Sequence, residues 1–287
     1  NSYLVACGDD ALVIDPGPAM QRHVDALLVA AHGRQVRVTA IAVTHGHPDH
    51  APAAQMLARA TGATIYAHPD SIVPRDRDLP LEGELRVGTR ALAVMDAPGH
   101  TFEHVVFYDS PAATLFTGDV ILGEGTAVIA PPGGAMRPYQ RTLERLAREF
   151  PDARMIRGGH GPLVNDAHAK IAEYIAHRKE REKQLVDALA HGPHTIPQLV
   201  RRIYDDTRPE LWPAAARQLM AYLDALRDEG RVTATPLERM LAPEESAMLN
   251  PRWASLVDAE LAKVIEAELG TSHRIERLYL YTLLRDS

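Results

Sequence analysis

The stretch Thr44-His45-Gly46-His47-Pro48-Asp49-His50 decides how the rest of this chain is read. Three imidazoles and a carboxylate follow directly on the apolar run Val38 to Val43, and these are the side chains that bind zinc or a similar divalent ion at neutral pH. A cluster this dense is costly without an ion. Four ligands on one short loop rarely make a catalytic centre, so further ligands are sought along the chain.

Upstream, Tyr3 to Ala6 and Ala11 to Ile14 are apolar runs parted by Gly8-Asp9-Asp10, a hairpin composition. The chain is already strand-like at Asn1-Ser2-Tyr3, so a few residues or a strand are expected ahead of it. The second run ends in Asp15-Pro16-Gly17-Pro18, which leaves Asp15 at a strand's carboxyl end. Helical spacing over His23 to His32, with Gly33 as terminator, leads to the strand Val38 to Val43, and Pro52 suits the first turn of a helix over Ala53 to Thr61. Ala63 to Ala67 reads as a strand ending at His68, and Ser71 to Gly83 as a polar surface loop. Strands recur at Arg90 to Met95, Val105 to Tyr108 and Thr114 to Thr117, followed by a Gly- and Pro-rich loop, an amphipathic helix from Tyr139 to Phe150 and a strand from Arg154 to Ile156. Three later strand ends repeat one theme: Pro98-Gly99-His100-Thr101, Gly118-Asp119 and Gly159-His160-Gly161. Glycine beside a ligand lets backbone approach an ion closely, and a sheet holds strand ends to the tolerance a metal site needs.

From Asp166 the character changes. Ala167 to Ala190, Ile196 to Tyr204 and Pro213 to Glu229 read as helices and Arg231 to Thr235 as a strand of a small wing, which is the arithmetic of a winged helix. Pro251 to Leu269 and Ser272 to Leu284 add two helical patterns. The expected domains are 1–165, catalytic; 166–245, winged-helix-like; and 246–287, a helical extension.

A chain of 287 residues with 46% hydrophobic and 24% charged residues suits about two globular domains and excludes a fibrous or disordered protein. The net charge of -7 offers no whole-protein attraction to nucleic acid or to anionic membrane. Cys7 is the sole cysteine, so no intrachain disulfide can form. With no leader and no membrane-spanning apolar stretch in view, a cytoplasmic protein without a membrane partner is expected.

Seven candidate ligands emerge: His45, His47, Asp49, His50, His100, Asp119 and His160. Catalytic zinc usually takes three protein ligands and keeps an open position, so six terminal ligands and one bridging carboxylate match two ions. His23, His32, His168, His177, His191, His194 and His273 sit in no such setting and read as surface or core residues.

Taken in order, these motifs resemble the metallo-β-lactamase superfamily. The resemblance implies an α+β fold, a four-layer αββα sandwich followed by a winged-helix-like helical domain. It implies that His45, His47 and His100 hold one metal, that Asp49, His50 and His160 hold another, that Asp119 bridges them and that Asp15 orients the ligand loops. A closer similarity, to the lactamase-β-2-like branch, rests on Gly118-Asp119-Val120-Ile121-Leu122-Gly123-Glu124-Gly125-Thr126, on Gly159-His160-Gly161-Pro162 and on His177-Arg178-Lys179-Glu180-Arg181-Glu182. That branch includes single-strand-selective endoribonucleases, and similar architectures serve as thioesterases. One departure is Ala51-Pro52-Ala53-Ala54, where many members carry glycines; every ligand stays intact. A diiron redox branch typically replaces the second motif histidine with Glu, whereas His47 is present here.

The implied chemistry is hydroxide held between two divalent metals, zinc with manganese or iron as alternatives, attacking an ester, thioester, lactone or related small substrate. Asp49 binds metal and orients the nucleophile in this scheme. His104 is assigned a supporting role or a substrate contact, and Thr126 and Tyr139 are candidates to line the pocket. An endoribonuclease acting on single-stranded RNA is the alternative, weakened because acidic residues slightly outnumber basic ones between Gly161 and Glu245. The winged-helix-like domain is expected to wall the site or to form a homodimer. A winged-helix regulator with a vestigial metal domain is the reading from another class.

Overall fold

Strand alternation sorts the first unit's side chains between two cores. The computed structural model describes residues 1–250, 275 and 277–284. The first unit comprises Asn1–Ala127 and Thr142–Ala172. Its elements are β1 (Tyr3–Cys7), β2 (Asp10–Ile14), α1 (Gln21–Gly33), β3 (Arg37–Ala42), α2 (Ala54–Thr61), β4 (Thr64–Ala67), β5 (Arg77–Asp78), β6 (Gly83–Val87), β7 (Arg90–Asp96), β8 (Val105–Asp109), β9 (Thr114–Gly118), the later part of α3 (Met136–Glu149), β10 (Met155–Gly158) and the start of α4 (Ala167–Ala190).

One sheet has the order β1-β2-β3-β4-β5 and the other β10-β9-β8-β7-β6. Successive residues of a strand face opposite ways. In β2, Val13 joins Val24, Leu27 and Leu57 of the helices, while Leu12 and Ile14 join Leu92, Phe107 and Phe116 of the second sheet. The same split places Ile41 with the helices and Ala40 and Ala42 between the sheets. Burial on both faces explains why β2 and β3 read as continuous apolar runs, as parallel strands do. The second sheet is covered in turn: Leu143 and Leu146 of α3 are buried, and Thr142 Oγ1 donates to Pro98 O at 2.8 Å. Helix, sheet, sheet and helix make the four layers of an αββα sandwich.

The second unit comprises Val128–Arg141 and Glu173–Ser287. It adds α5 (Ile196–Ile203), α6 (Trp212–Asp228), β11 (Val232–Pro236), α7 (Pro243–Leu249) and β12 (Tyr279–Leu283). Thr195 caps α5, its backbone amide donating to Gln198 Oε1 at 2.8 Å. No helix among the described residues is long and apolar enough to cross a membrane.

Several sequence expectations are corrected. The segment Ser71 to Gly83 is no plain loop: Val73 and Leu79 are buried, and Arg77–Asp78 pairs with β4. The strand β6 is absent from the sequence expectation although Gly83-Glu84-Leu85-Arg86-Val87 alternates, with Leu85 and Val87 buried. A helix is predicted over Ser272 to Leu284, whereas Tyr279–Leu283 is a strand, antiparallel to β11 with Val232 opposite Leu283. The residues responsible, Tyr279, Tyr281 and Thr282, are strand formers, and their partner lies more than forty positions upstream. The other pattern, Pro251 to Leu269, lies outside the described residues. Pro52 sits in the turn before α2, which begins at Ala54, and α1 is ended by Gln35 at φ 54° rather than by Gly33.

Candidate metal centre

The seven candidate ligands converge at the carboxyl ends of the strands. β3 delivers Thr44 to His50, the turn after β7 delivers His100, β9 delivers Asp119 and β10 delivers His160. His45 Nε2 and His100 Nε2 each lie 3.0 Å from His47 Nδ1. His160 Nε2 lies 3.0 Å from Asp49 Oδ2, and His50 Nε2 lies 3.6 Å from the same oxygen. Asp119 stands against both groups, with Oδ1 3.4 Å from His50 Nε2 and Oδ2 3.4 Å from His160 Nε2 and 3.7 Å from His100 Nε2.

Hydrogen bonds behind the cluster set which ring nitrogens face inward. Thr44 Oγ1 donates its hydrogen to Asp15 Oδ2 at 2.7 Å, so its contact with His45 Nδ1 at 3.0 Å has the ring as donor, and His45 Nε2 carries the lone pair. His50 Nδ1 donates to Asp15 Oδ2 at 2.9 Å, which turns Nε2 toward the carboxylates. Asp15 also accepts from the Thr44 amide at 2.7 Å. His104 is fully buried; its Nε2 accepts from the Asp119 amide at 3.1 Å and its ring stacks on His45 at 4.7 Å. It packs behind His45 and Asp119 and has no face exposed. Gly46 N donates to Glu103 Oε1 at 3.2 Å.

Charge follows from these neighbours. Burial pushes His45 and His104 well below the usual histidine range, and burial, then His100, takes His47 to about 4. Burial opposes a charge on His50, yet Asp15 and Asp119 outweigh it and raise its pKa. Hydrogen bonds to Asp119 and Asp49 lift His160 to about 9. Burial works against the charge of Asp49, and the His160 bond outweighs it, holding the carboxyl at about 2.

The donor set fits divalent ions. Metal–nitrogen distances of 2.0–2.1 Å put tetrahedral ligands about 3.3 Å apart, close to the separations observed. His50 Nε2 and Asp119 Oδ1 are buried without a hydrogen-bond partner, a costly arrangement that an ion between them relieves. Asp15 is a different case, since its oxygens are occupied by Thr44 and His50.

Two pocket candidates fare differently. Thr126 is half-buried in the connection between β9 and α3. Tyr139 is fully buried in the second unit with Arg178 5.1 Å from its ring centroid, so no face is open to a ligand. Sequence reasoning missed the roles of Thr44 and Glu103, and of Asn1 and Tyr3, whose side chains donate to Gly158 O. Thr44 lay inside the quoted motif; the others carry no local signal.

A profile of the Metallo-beta-lactamase superfamily matches residues 1–160, and one of the Beta-lactamase associated winged helix domain matches residues 195–238. The Beta-lactamase-like protein 2 homolog of Drosophila melanogaster is 30% identical over 250 residues, 81% of this chain and 83% of that protein. The Atrochrysone carboxyl ACP thioesterase of Aspergillus aculeatus is 30% identical over 195 residues, 66% of this chain and 59% of that protein. A metallo-beta-lactamase family protein from Thermus thermophilus shares the fold, with a TM-score of 0.67 at 23% identity over 82% of this chain and 90% of that one. With the superfamily profile spanning more than half of its length, the chain belongs to the metallo-β-lactamase superfamily, as an enzyme of hydrolase class that also carries a winged-helix domain.

Proposed function

We propose that this enzyme hydrolyses an ester, thioester, lactone or related small substrate with two divalent ions, one held by His45, His47 and His100 and one by Asp49, His50 and His160, with Asp119 shared. The observation that carries the proposal is the pair of three-ligand groups meeting at one carboxylate. When bound, such ions lower the pKa of water from 15.7 to about 7 and offset negative charge developing on a substrate oxygen. The side chains of Asp49 and His160 are 27% and 47% exposed against 1% for His50, so substrate approaches from their side. Asp49, ionised at neutral pH, accepts a hydrogen bond from the attacking water and orients it. His45 and His50, locked from behind by Thr44 and Asp15, keep Nε2 aimed inward, and His50 would give up its Nε2 proton on binding an ion.

An imidazole-rich set with carboxylates suits zinc, and manganese or iron compete by availability. The thioesterase relative supports a thioester within the substrate class. Metal analysis of purified protein, followed by a panel of thioester, ester, lactone and single-stranded RNA substrates, tests the proposal. Two ions per chain and turnover of a small acyl substrate are expected. Turnover of RNA alone, or full activity of Asp49→Ala at unchanged metal content, would overturn it.

A further inference from the structure

The turn that carries His160 is gripped from the opposite sheet. Gly158, Gly159 and Gly161 surround the histidine, so its backbone has few steric restraints of its own. Restraint comes from close approach to the backbone of Ile121 to Glu124 and from hydrogen bonds, most of them to the turn's carbonyl oxygens. The Tyr3 hydroxyl donates to Gly158 O at 2.6 Å, and the Asn1 carboxamide donates to Gly158 O at 3.0 Å and to Gly161 O at 2.9 Å. From the other side, Gly123 N donates to His160 O at 2.8 Å and Gly159 N to Gly118 O at 2.7 Å. Tyr3 is anchored in its turn, its ring edge-on to Phe116 with centroids 5.3 Å apart. His160 depends on such a grip more than its fellow ligands do, because its side chain is 47% exposed and packing holds little of it.

We propose that Tyr3 and Asn1 are positioning residues for one ion of the pair: their hydrogen bonds fix the turn from which His160 meets Asp49 and Asp119. They set the affinity of the Asp49, His50 and His160 group and leave that of His45, His47 and His100 unchanged. The inference rests on the two-ion reading above.

Tyr3→Phe keeps the ring on Phe116 and deletes one donor; Asn1→Asp keeps the side chain's shape and deletes both of its donors. Wild type and variants are loaded with zinc and stripped by a graded chelator while zinc per chain is measured. In the double variant one ion is expected to leave at ten- to hundredfold lower chelator, roughly the worth of outer support to a metal ligand, while the other leaves as in wild type. Tyr3→Phe alone, a change small enough to preserve the fold, is expected to show the same selective loss at about fivefold. Equal weakening of both ions, or no weakening of either, overturns the inference. Wild-type protein that binds one ion only overturns the two-ion reading and this inference together, and the wild-type stoichiometry distinguishes that outcome.

Discussion

Asp15 Oδ2 lies 2.9 Å from His50 Nδ1, and the same carboxylate takes the amide and hydroxyl hydrogens of Thr44 at 2.7 Å each. Its backbone sits at φ 49°, a left-handed conformation that aspartate tolerates better than most residues. A carboxylate serves three donors because every lone pair accepts; a carboxamide has one oxygen and turns hydrogens toward Thr44 or His50. Asp15→Asn is therefore expected to cost about 2–4 kcal/mol of stability and to weaken ion binding roughly ten- to hundredfold. Urea denaturation and chelator competition check this, and an unchanged midpoint with unchanged ion content would refute it.

Two glycine-to-alanine substitutions are expected to act with opposite sign. Gly118 has φ 46°, and a Cβ there would lie 2.5 Å from Thr44 Oγ1 and 2.8 Å from His104 Nε2, both fixed by the hydrogen bonds behind the ligands. Gly118→Ala should cost at least ~2 kcal/mol and reduce ion content. Gly33, in the last turn of α1, has open space where a Cβ would go, and Gly33→Ala should stabilise by about 0.5–1 kcal/mol. Denaturant midpoints compare the two; a neutral Gly118→Ala would remove the argument for close packing behind the site.

What the sequence made legible depended on how local each signal was. Thr44 to His50 is one continuous stretch, and the glycine-flanked His100, Asp119 and His160 announce themselves as strand-end residues, so the seven candidates could be collected from residue types, while their division between two ions followed from the family resemblance. β6 was legible in its alternation yet masked by the polar, proline-bearing segment before it. β12 was not legible, because Tyr279–Leu283 becomes a strand only by pairing with Val232–Pro236. Tyr3 and Gly158, in the turn that carries His160, likewise meet only once two sheets have stacked, and no local pattern encodes a hydrogen bond across 155 positions.

His177 supplies a pH test in the second unit. Burial, then Arg178 and Arg181, hold it at about 4. The folded protein keeps it neutral while the unfolded chain takes up a proton near pH 6.5, so stability is full above that pH and falls as pH drops toward 4. His177→Gln removes this contribution. Denaturation at pH 7 and pH 5 should show wild type losing more stability on acidification than the variant; parallel losses would count against the assignment.

The two ion sites should differ in their proton balance. In metal-free protein at pH 7 His160, at about 9, and His50, raised by Asp15 and Asp119 against burial, are protonated, whereas His47, at about 4, and His45, driven down by burial, are neutral. A ligating imidazole must be neutral, so loading the Asp49, His50 and His160 group displaces protons that His45 and His47 do not carry, in addition to any that bound water gives up. The raised pKa of His160 also stabilises the metal-free fold, fully below pH 6.5 and no longer once pH rises through about 9. Affinity for the ion at His160 should therefore climb more steeply between pH 6.5 and 9 than affinity for the other. Calorimetric titration with zinc in buffers of different ionisation enthalpy counts the protons directly, and equal release at both steps would show that His50 and His160 are not the protonated pair.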